Sequence, residues 1–155
     1  GASEDELDRA HELYLPSYRR RLLDNTRAYP GVREALSSLE EGHALTVLTN
    51  KPLRESRLLL EGLDLARFFR EVYGGDSFPT RKPDPLGVRE LIRRMGVAAE
   101  QTLFVGDSAV DFETARRASV RFCLVTYGIG TRHDFDTVPD FSVDDLRELP
   151  SIVNA

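Results

Sequence analysis

The stretch Thr102-Leu103-Phe104-Val105-Gly106-Asp107-Ser108-Ala109-Val110-Asp111-Phe112-Glu113-Thr114-Ala115 constrains the fold more than any other part of the chain. Leu103 to Val105 form a continuous apolar run closed by Gly106, and apolar residues recur at helical spacing from Ser108. That pattern reads as a fully buried strand feeding a helix. Asp107 then stands at the carboxyl end of a strand, the edge of an open parallel α/β sheet where ligands enter. Asp111 follows one helical turn later. Two carboxylates so placed suit Mg²⁺, which takes oxygen ligands and is commonly held by one or two carboxylates plus substrate phosphate. Ser108 with Asp111 three positions on is also a capping box, in which Asp111 satisfies only backbone N–H groups at the helix start. Both readings are open on this stretch.

The 155 residues suffice for about one domain, and 41% hydrophobic with 30% charged is an ordinary globular balance. A net charge of −5 offers no basic stripe for phosphate backbones and argues against a nucleic-acid partner. Arg19-Arg20-Arg21 has acidic residues around it and reads as a solvated helix face. Cys123, the only cysteine, lies inside an apolar strand and reads as a core thiol, so no disulfide framework or zinc cluster is expected. No apolar run approaches a membrane span and no signal-peptide pattern is present, which makes a cytoplasmic location the expectation. Gly1-Ala2-Ser3 reads as appended small residues rather than a native start.

In chain order, Glu4 to about Asn25 is helical in pattern, divided by Pro16. Val32 to Glu41 reads as an amphipathic helix ended by Gly42, and Ala44 to Leu48 as a strand. Pro52 fits the first position of a helix to about Glu61, which puts Thr49 and Asn50 in a second strand-to-helix turn. A helical turn at Leu65 to Phe69 and a short strand at Glu71 to Tyr73 follow. Prolines make the segment from Asp76 to Pro85 irregular, and it delivers Lys82 on a stiff loop before a helix from about Pro85 to Met95. Val120 to Thr126 and Phe141 to Val143 read as the remaining strands, with a helix start at Asp144. Strands alternating with helices from residue 31 onward predict an α/β fold with a parallel, doubly wound sheet.

Thr49 with Asn50, Lys82, and Asp107 with Asp111 thus fall at the carboxyl ends of strands. A hydroxyl and turn N–H groups can hold phosphate oxygens, a lysine can neutralise them, and carboxylates can bring Mg²⁺ to them. Each has a plainer reading. Thr49 fits a helix cap, and Lys82 a solvated loop charge. Their occurrence together in this order favours a phosphoryl-transfer site.

Leu48-Thr49-Asn50-Lys51, Arg81-Lys82-Pro83-Asp84-Pro85 and Val105-Gly106-Asp107-Ser108-Ala109-Val110-Asp111 closely resemble the second, third and fourth motifs of the haloacid dehalogenase superfamily. The likeness extends through Tyr29-Pro30-Gly31-Val32, Tyr73-Gly74-Gly75-Asp76 and Val125-Thr126-Tyr127-Gly128, and is nearest to phosphoglycolate phosphatases. The resemblance implies a Rossmann-like core at residues 29–155, with residues 1–28 a remnant of a helical cap. It implies that Thr49 binds the transferring phosphoryl group, aided by the Asn50 backbone, with Lys51 on the substrate side. Lys82 would stabilise phosphate and nucleophile, Asp107 would ligate Mg²⁺, and Asp111 would support the metal shell. The substrate would be a small phosphorylated metabolite.

The family's first motif, an apolar strand followed by Asp-x-Asp-Gly-Thr, is absent from this sequence, and with it the nucleophile and the general acid/base. Asp134-Phe135-Asp136-Thr137 follows no buried-strand pattern and is a poor substitute. By the resemblance the first strand and most of the cap are missing. The leading expectation is therefore the carboxyl-terminal part of a Mg²⁺-dependent phosphomonoester hydrolase that is inactive alone and binds Mg²⁺ weakly. The alternatives are a non-catalytic domain that binds phosphate, Mg²⁺ or a partner, and a domain whose first strand comes from another chain. In the family the missing strand lies between the strands read at Ala44 to Leu48 and Leu103 to Val105. An empty slot there would strand about four to six backbone groups, at about 1–3 kcal/mol for each one buried unpaired. Three ways of filling it are expected: direct pairing of the flanking strands, a strand swapped from a second copy or a partner, or a complementing amino-terminal segment.

Overall fold

The computed structural model of the chain describes residues 21–128 and 138–154. Most of the helix expected at Glu4 to Asn25, with Arg19 and Arg20, lies outside the described residues, as does Asp134 to Thr137.

Helix α1 (Val32–Glu40) buries Ala35, Leu36 and Leu39 on one face. It leads into β1 (Thr46–Leu48), α2 (Leu53–Gly62), a 3₁₀ turn at Ala66–Phe68 and β2 (Glu71–Tyr73). Pro52 caps α2 from outside instead of opening it; its ψ of 146° is extended. Helix α3 (Leu86–Met95) buries Gly87, Val88 and Leu91 and stops at Gly96, whose φ of 66° suits a residue without a side chain. Strand β3 (Leu103–Gly106), α4 (Ala109–Ala118), β4 (Arg121–Val125) and β5 (Phe141–Val143) follow. A 3₁₀ turn at Leu146–Glu148, capped by Asp145, then leads into α5 (Leu149–Val153).

Every strand pairing is parallel, as expected, but the described strands form two sheets. β1 pairs with β2, and β3, β4 and β5 pair in that order, while β1 and β3 do not bond to one another. Direct pairing of the flanking strands is therefore not how this chain closes the slot. Helices and side chains hold the two halves together. Leu39 of α1 packs with Cys123, Val143 and Leu149 behind the larger sheet, while Leu36 packs with Leu65 and Phe68, and Leu45 touches both groups. Leu48 reaches the cluster of Val88, Phe122 and Leu124 under α3 and α4.

Among the described residues, the strands differ in burial according to their pairing. β4, paired on both sides, holds Phe122, Cys123 and Leu124 at 1%, 0% and 1% exposure. β3 was expected to be fully buried, yet Leu103 and Phe104 are half-buried and Val105 is 36% exposed. The apolar run reports what β3 is suited to, whereas its burial depends on a neighbour on the far edge. On β1, the Leu45 carbonyl accepts from Arg70 N–H and Thr49 N–H donates to the Tyr73 carbonyl. Backbone groups alternate sides along a strand, so Thr46 and Leu48 turn theirs toward the slot. Hydrogen exchange at the Thr46 and Leu48 amides is expected to be at least about a hundredfold faster than at Cys123 and Leu124, the latter reporting the most stable part of the fold. Equal protection at all four would show that the slot is closed.

Candidate active site

The turn after β1 is built around Thr49 and Asn50. Thr49 Oγ1 accepts from Lys51 N–H at 3.2 Å, which tightens the turn into α2. The segment after β2 is stapled to it: Gly75 N–H donates to the Lys51 carbonyl at 2.9 Å, and Arg81 Nε donates to the Gly75 carbonyl at 2.8 Å. Gly75 permits this approach, since a Cβ there would overlap the Asn50 carbonyl oxygen. The Asn50 side chain then binds Lys82 twice. Its Nδ2 donates to the Lys82 carbonyl and its Oδ1 accepts from Lys82 N–H, both at 2.9 Å. Thr49, Asn50, Gly75, Arg81 and Lys82 line one shallow pocket.

The Lys82 ammonium crosses toward the other sheet. It lies 2.5 Å from Asp111 Oδ1 and 5.8 Å from the centre of the Phe104 ring on β3. The pair is nearly buried, with side-chain exposures of 13% and 8%. Asp111 Oδ2 accepts from the Ser108 hydroxyl at 2.7 Å and from Asp107 N–H at 3.3 Å, while Ser108 Oγ accepts from Asp111 N–H at 3.3 Å. The capping reading of Asp111 thus holds at the start of α4, and the residue has a further role that neither reading foresaw, as the partner of the Lys82 ammonium.

Asp107 stands at the carboxyl end of β3, against the turn after β4. A Cβ on Gly128 would overlap Asp107 Cβ and Oδ2, so the missing side chain at 128 is what leaves room for this carboxylate. Gly128→Ala is expected to displace Asp107 and abolish any cation binding that depends on it, with the fold kept. A crystal structure of the variant checks this; an unmoved Asp107 would contradict it. Tyr127, beside Tyr29 at a ring separation of 4.8 Å, has its phenol pushed up by burial, then by Asp145, Tyr29, Cys123 and Asp107, and stays neutral. Burial pushes the Cys123 thiol up to about 11, which fits an inert core residue.

Of the sequence-selected residues, Thr49, Asn50 and Lys82 line one pocket, Lys82 connects them to Asp111 and through it to Asp107, and Lys51 is tied to the same turn by its backbone N–H and carbonyl. Among the described residues no group of three His, Cys, Asp or Glu is placed to hold a metal. Two carboxylates still match the donor set Mg²⁺ takes beside a substrate phosphate. Asp111 has its oxygens on Lys82, Ser108 and the Asp107 N–H, and Asp107 stands beside it at the carboxyl end of β3. The motifs included Gly75 and Gly128 without disclosing the close approaches they permit, and did not disclose the side-chain role of Asn50. Composition carried one further signal. Only two of the 21 Lys and Arg residues are lysine, and both, Lys51 and Lys82, are among the sequence-selected residues.

The sequence profile of the haloacid dehalogenase-like hydrolases matches residues 2–125. The chain belongs to that family. A phosphoglycolate phosphatase of Pseudomonas savastanoi pv. phaseolicola is 37% identical over 151 residues, covering 96% of this chain and 55% of the relative. One from Mesorhizobium japonicum is 40% identical over 129 residues, covering 83% and 57%. The chain spans about half the length of these curated relatives. A crystal structure of a predicted phosphoglycolate phosphatase from Haemophilus somnus superposes with a TM-score of 0.89 at 32% identity, covering 97% of this chain and 68% of that one. A HAD-superfamily hydrolase of subfamily IA from Geobacter sulfurreducens gives 0.78 at 25%, covering 88% and 60%. The fold is thus the α/β fold of haloacid dehalogenase-like hydrolases. Among the described residues no helix is long and apolar enough to cross a membrane.

Proposed function

We propose that this chain supplies the phosphate-holding and cation-holding part of a Mg²⁺-dependent phosphomonoester hydrolase acting on a small phosphorylated metabolite such as phosphoglycolate. The observation that carries the reading is the Lys82 ammonium, held by Asp111 at the edge where Thr49, Asn50 and Asp107 also stand. The names of the relatives support the substrate class.

In this reading Thr49 donates its hydroxyl to a phosphoryl oxygen, and Lys82 offsets the charge that develops on the transferring group. Lys51 lies toward the rest of the substrate. Asp107 would hold Mg²⁺, which when bound would neutralise phosphate oxygens, and Asp111 keeps Lys82 aimed. The attacking carboxylate comes from a strand in the slot between β1 and β3, whose carboxyl end opens onto Lys82. Its oxygen forms a bond to phosphorus as the ester P–O bond breaks, and a second carboxyl group protonates the departing alkoxide. Water, deprotonated by that second group, then attacks the aspartyl-phosphate and releases inorganic phosphate.

The source of that strand is part of the proposal: a complementing segment or a swapped or partner chain. A second reading, a non-catalytic domain that uses the slot for a partner, is favoured by the exposure of Val105 alone.

Titration with inorganic phosphate, followed by amide NMR, is expected to shift Thr49, Asn50 and Lys82 with millimolar affinity and to lose that response in Lys82→Ala. Calorimetry is expected to find no tight Mg²⁺ site, because mostly water would surround a cation held by one protein carboxylate. Shifts confined to other surfaces would overturn the phosphate site. Micromolar Mg²⁺ affinity lost in Asp107→Asn would show that the described residues already complete the metal shell.

A further inference from the structure

We propose that Asn50 is a positioning residue whose side-chain amide clips both backbone groups of Lys82, so that Lys82 becomes a strut fixed at its two ends across the gap between the half-sheets. The reading that Lys82 neutralises phosphate gives the strut its purpose; the geometry stands without it.

The amide of Asn50 is spent on the backbone of one residue 32 positions away, its Oδ1 accepting from Lys82 N–H and its Nδ2 donating to the Lys82 carbonyl. A phosphate-binding role for this side chain would need those groups elsewhere. The backbone end of Lys82 is therefore registered to the turn that follows β1. Its ammonium is registered to Asp111 at the start of α4, and Asp111 is oriented by Ser108 and the Asp107 N–H. β1 and β3 share no backbone hydrogen bond, so this polar chain connects their carboxyl ends where the ladder does not. A lysine side chain has four rotatable carbons and many rotamers; fixing both ends removes most of that freedom before any anion arrives. Asn50 therefore acts on the anion through Lys82, without touching it.

The chain's lysine content makes the test direct, since Lys51 and Lys82 are its only lysines. Reductive methylation with ¹³C-formaldehyde yields two lysine signals besides the terminal amine, and their rates of appearance report how each amine is held. In the unsubstituted chain Lys82 is expected to label more slowly than Lys51. Asn50→Ala removes two hydrogen bonds and is expected to speed Lys82 labelling about tenfold, with the Lys51 rate unchanged within a factor of about two. Local unfolding of the turn would instead accelerate both lysines, because Lys51 is the adjacent residue. An unchanged Lys82 rate, or a parallel rise in both, overturns the proposal. Should Asn50→Ala fail to fold, hydrogen exchange of the Lys82 amide in the unsubstituted chain decides: protection supports the clip, and exchange at the unstructured rate overturns it. No phosphate enters either measurement. A chain that fails to bind phosphate yet shows the selective Lys82 response sinks the proposed function and leaves the clip standing, and the converse result does the opposite.

Discussion

Asp111→Ala is expected to lower stability by about 3–5 kcal/mol, the usual cost of removing one partner from a buried ion pair. The pair is nearly buried at 13% and 8% exposure, and the Lys82 ammonium would be left without its carboxylate. The same substitution removes the acceptor for the Ser108 hydroxyl and the Asp107 N–H at the first turn of α4. Against a total stability of about 5–15 kcal/mol for a domain, that loss is a large fraction. At about 2–4 °C per kcal/mol for a chain of this size, the midpoint of thermal unfolding should fall by roughly 6–20 °C. Lys82→Met should cost less, because Asp111 retains Ser108 and the Asp107 amide. Combining Lys82→Met with Asp111→Asn should recover part of the loss, since no buried charge is then left alone. Thermal melts followed by circular dichroism check the series. A fall under about 1 kcal/mol for Asp111→Ala would mean that the pair is solvated and does not brace the site.

Local chemistry made the element boundaries legible. Ser108 caps α4, Gly96 ends α3 in the left-handed region, and the apolar runs at Leu103 and Arg121 become strands, because each signal acts within a turn or two of its own position. The assembly of Thr49, Lys82 and Asp107 at one edge was legible for a related reason. Each stands at or near a strand's carboxyl end, and parallel strands bring those ends together. Contacts between distant segments were not legible. Asn50 reads locally as a turn residue, and nothing around it discloses that its amide is committed to Lys82. Gly128 reads as part of a turn, while its role is to leave space for Asp107, 21 positions earlier. Burial of β3 was misjudged because an apolar pattern cannot report whether the neighbouring strand is in place.

The slot beside β3 carries the largest expected effect. On the proposed function, Thr49, Lys82, Asp107 and Asp111 position and neutralise a phosphoryl group, and none of them attacks phosphorus. Losing the nucleophile of a group of residues that act as a unit costs on the order of 10⁴–10⁶ in turnover. The chain alone should therefore hydrolyse phosphoglycolate no faster than buffer containing Mg²⁺. A separately made fragment bearing an apolar strand followed by Asp-x-Asp-Gly-Thr can seat parallel to β1 and β3, pair the backbone groups of Thr46 and Leu48, and bring its carboxylates out beside Lys82. Phosphate release should then rise by orders of magnitude and saturate with fragment. It should vanish with Lys82→Ala in the chain or with Asn at the first aspartate of the fragment.

The decisive measurement is phosphate release from phosphoglycolate by the purified 155-residue chain, with and without that fragment, at fixed Mg²⁺. The account predicts no turnover without the fragment and saturable turnover with it. Robust turnover by the chain alone, lost in Lys82→Ala, would contradict it and place the nucleophile among this chain's own residues.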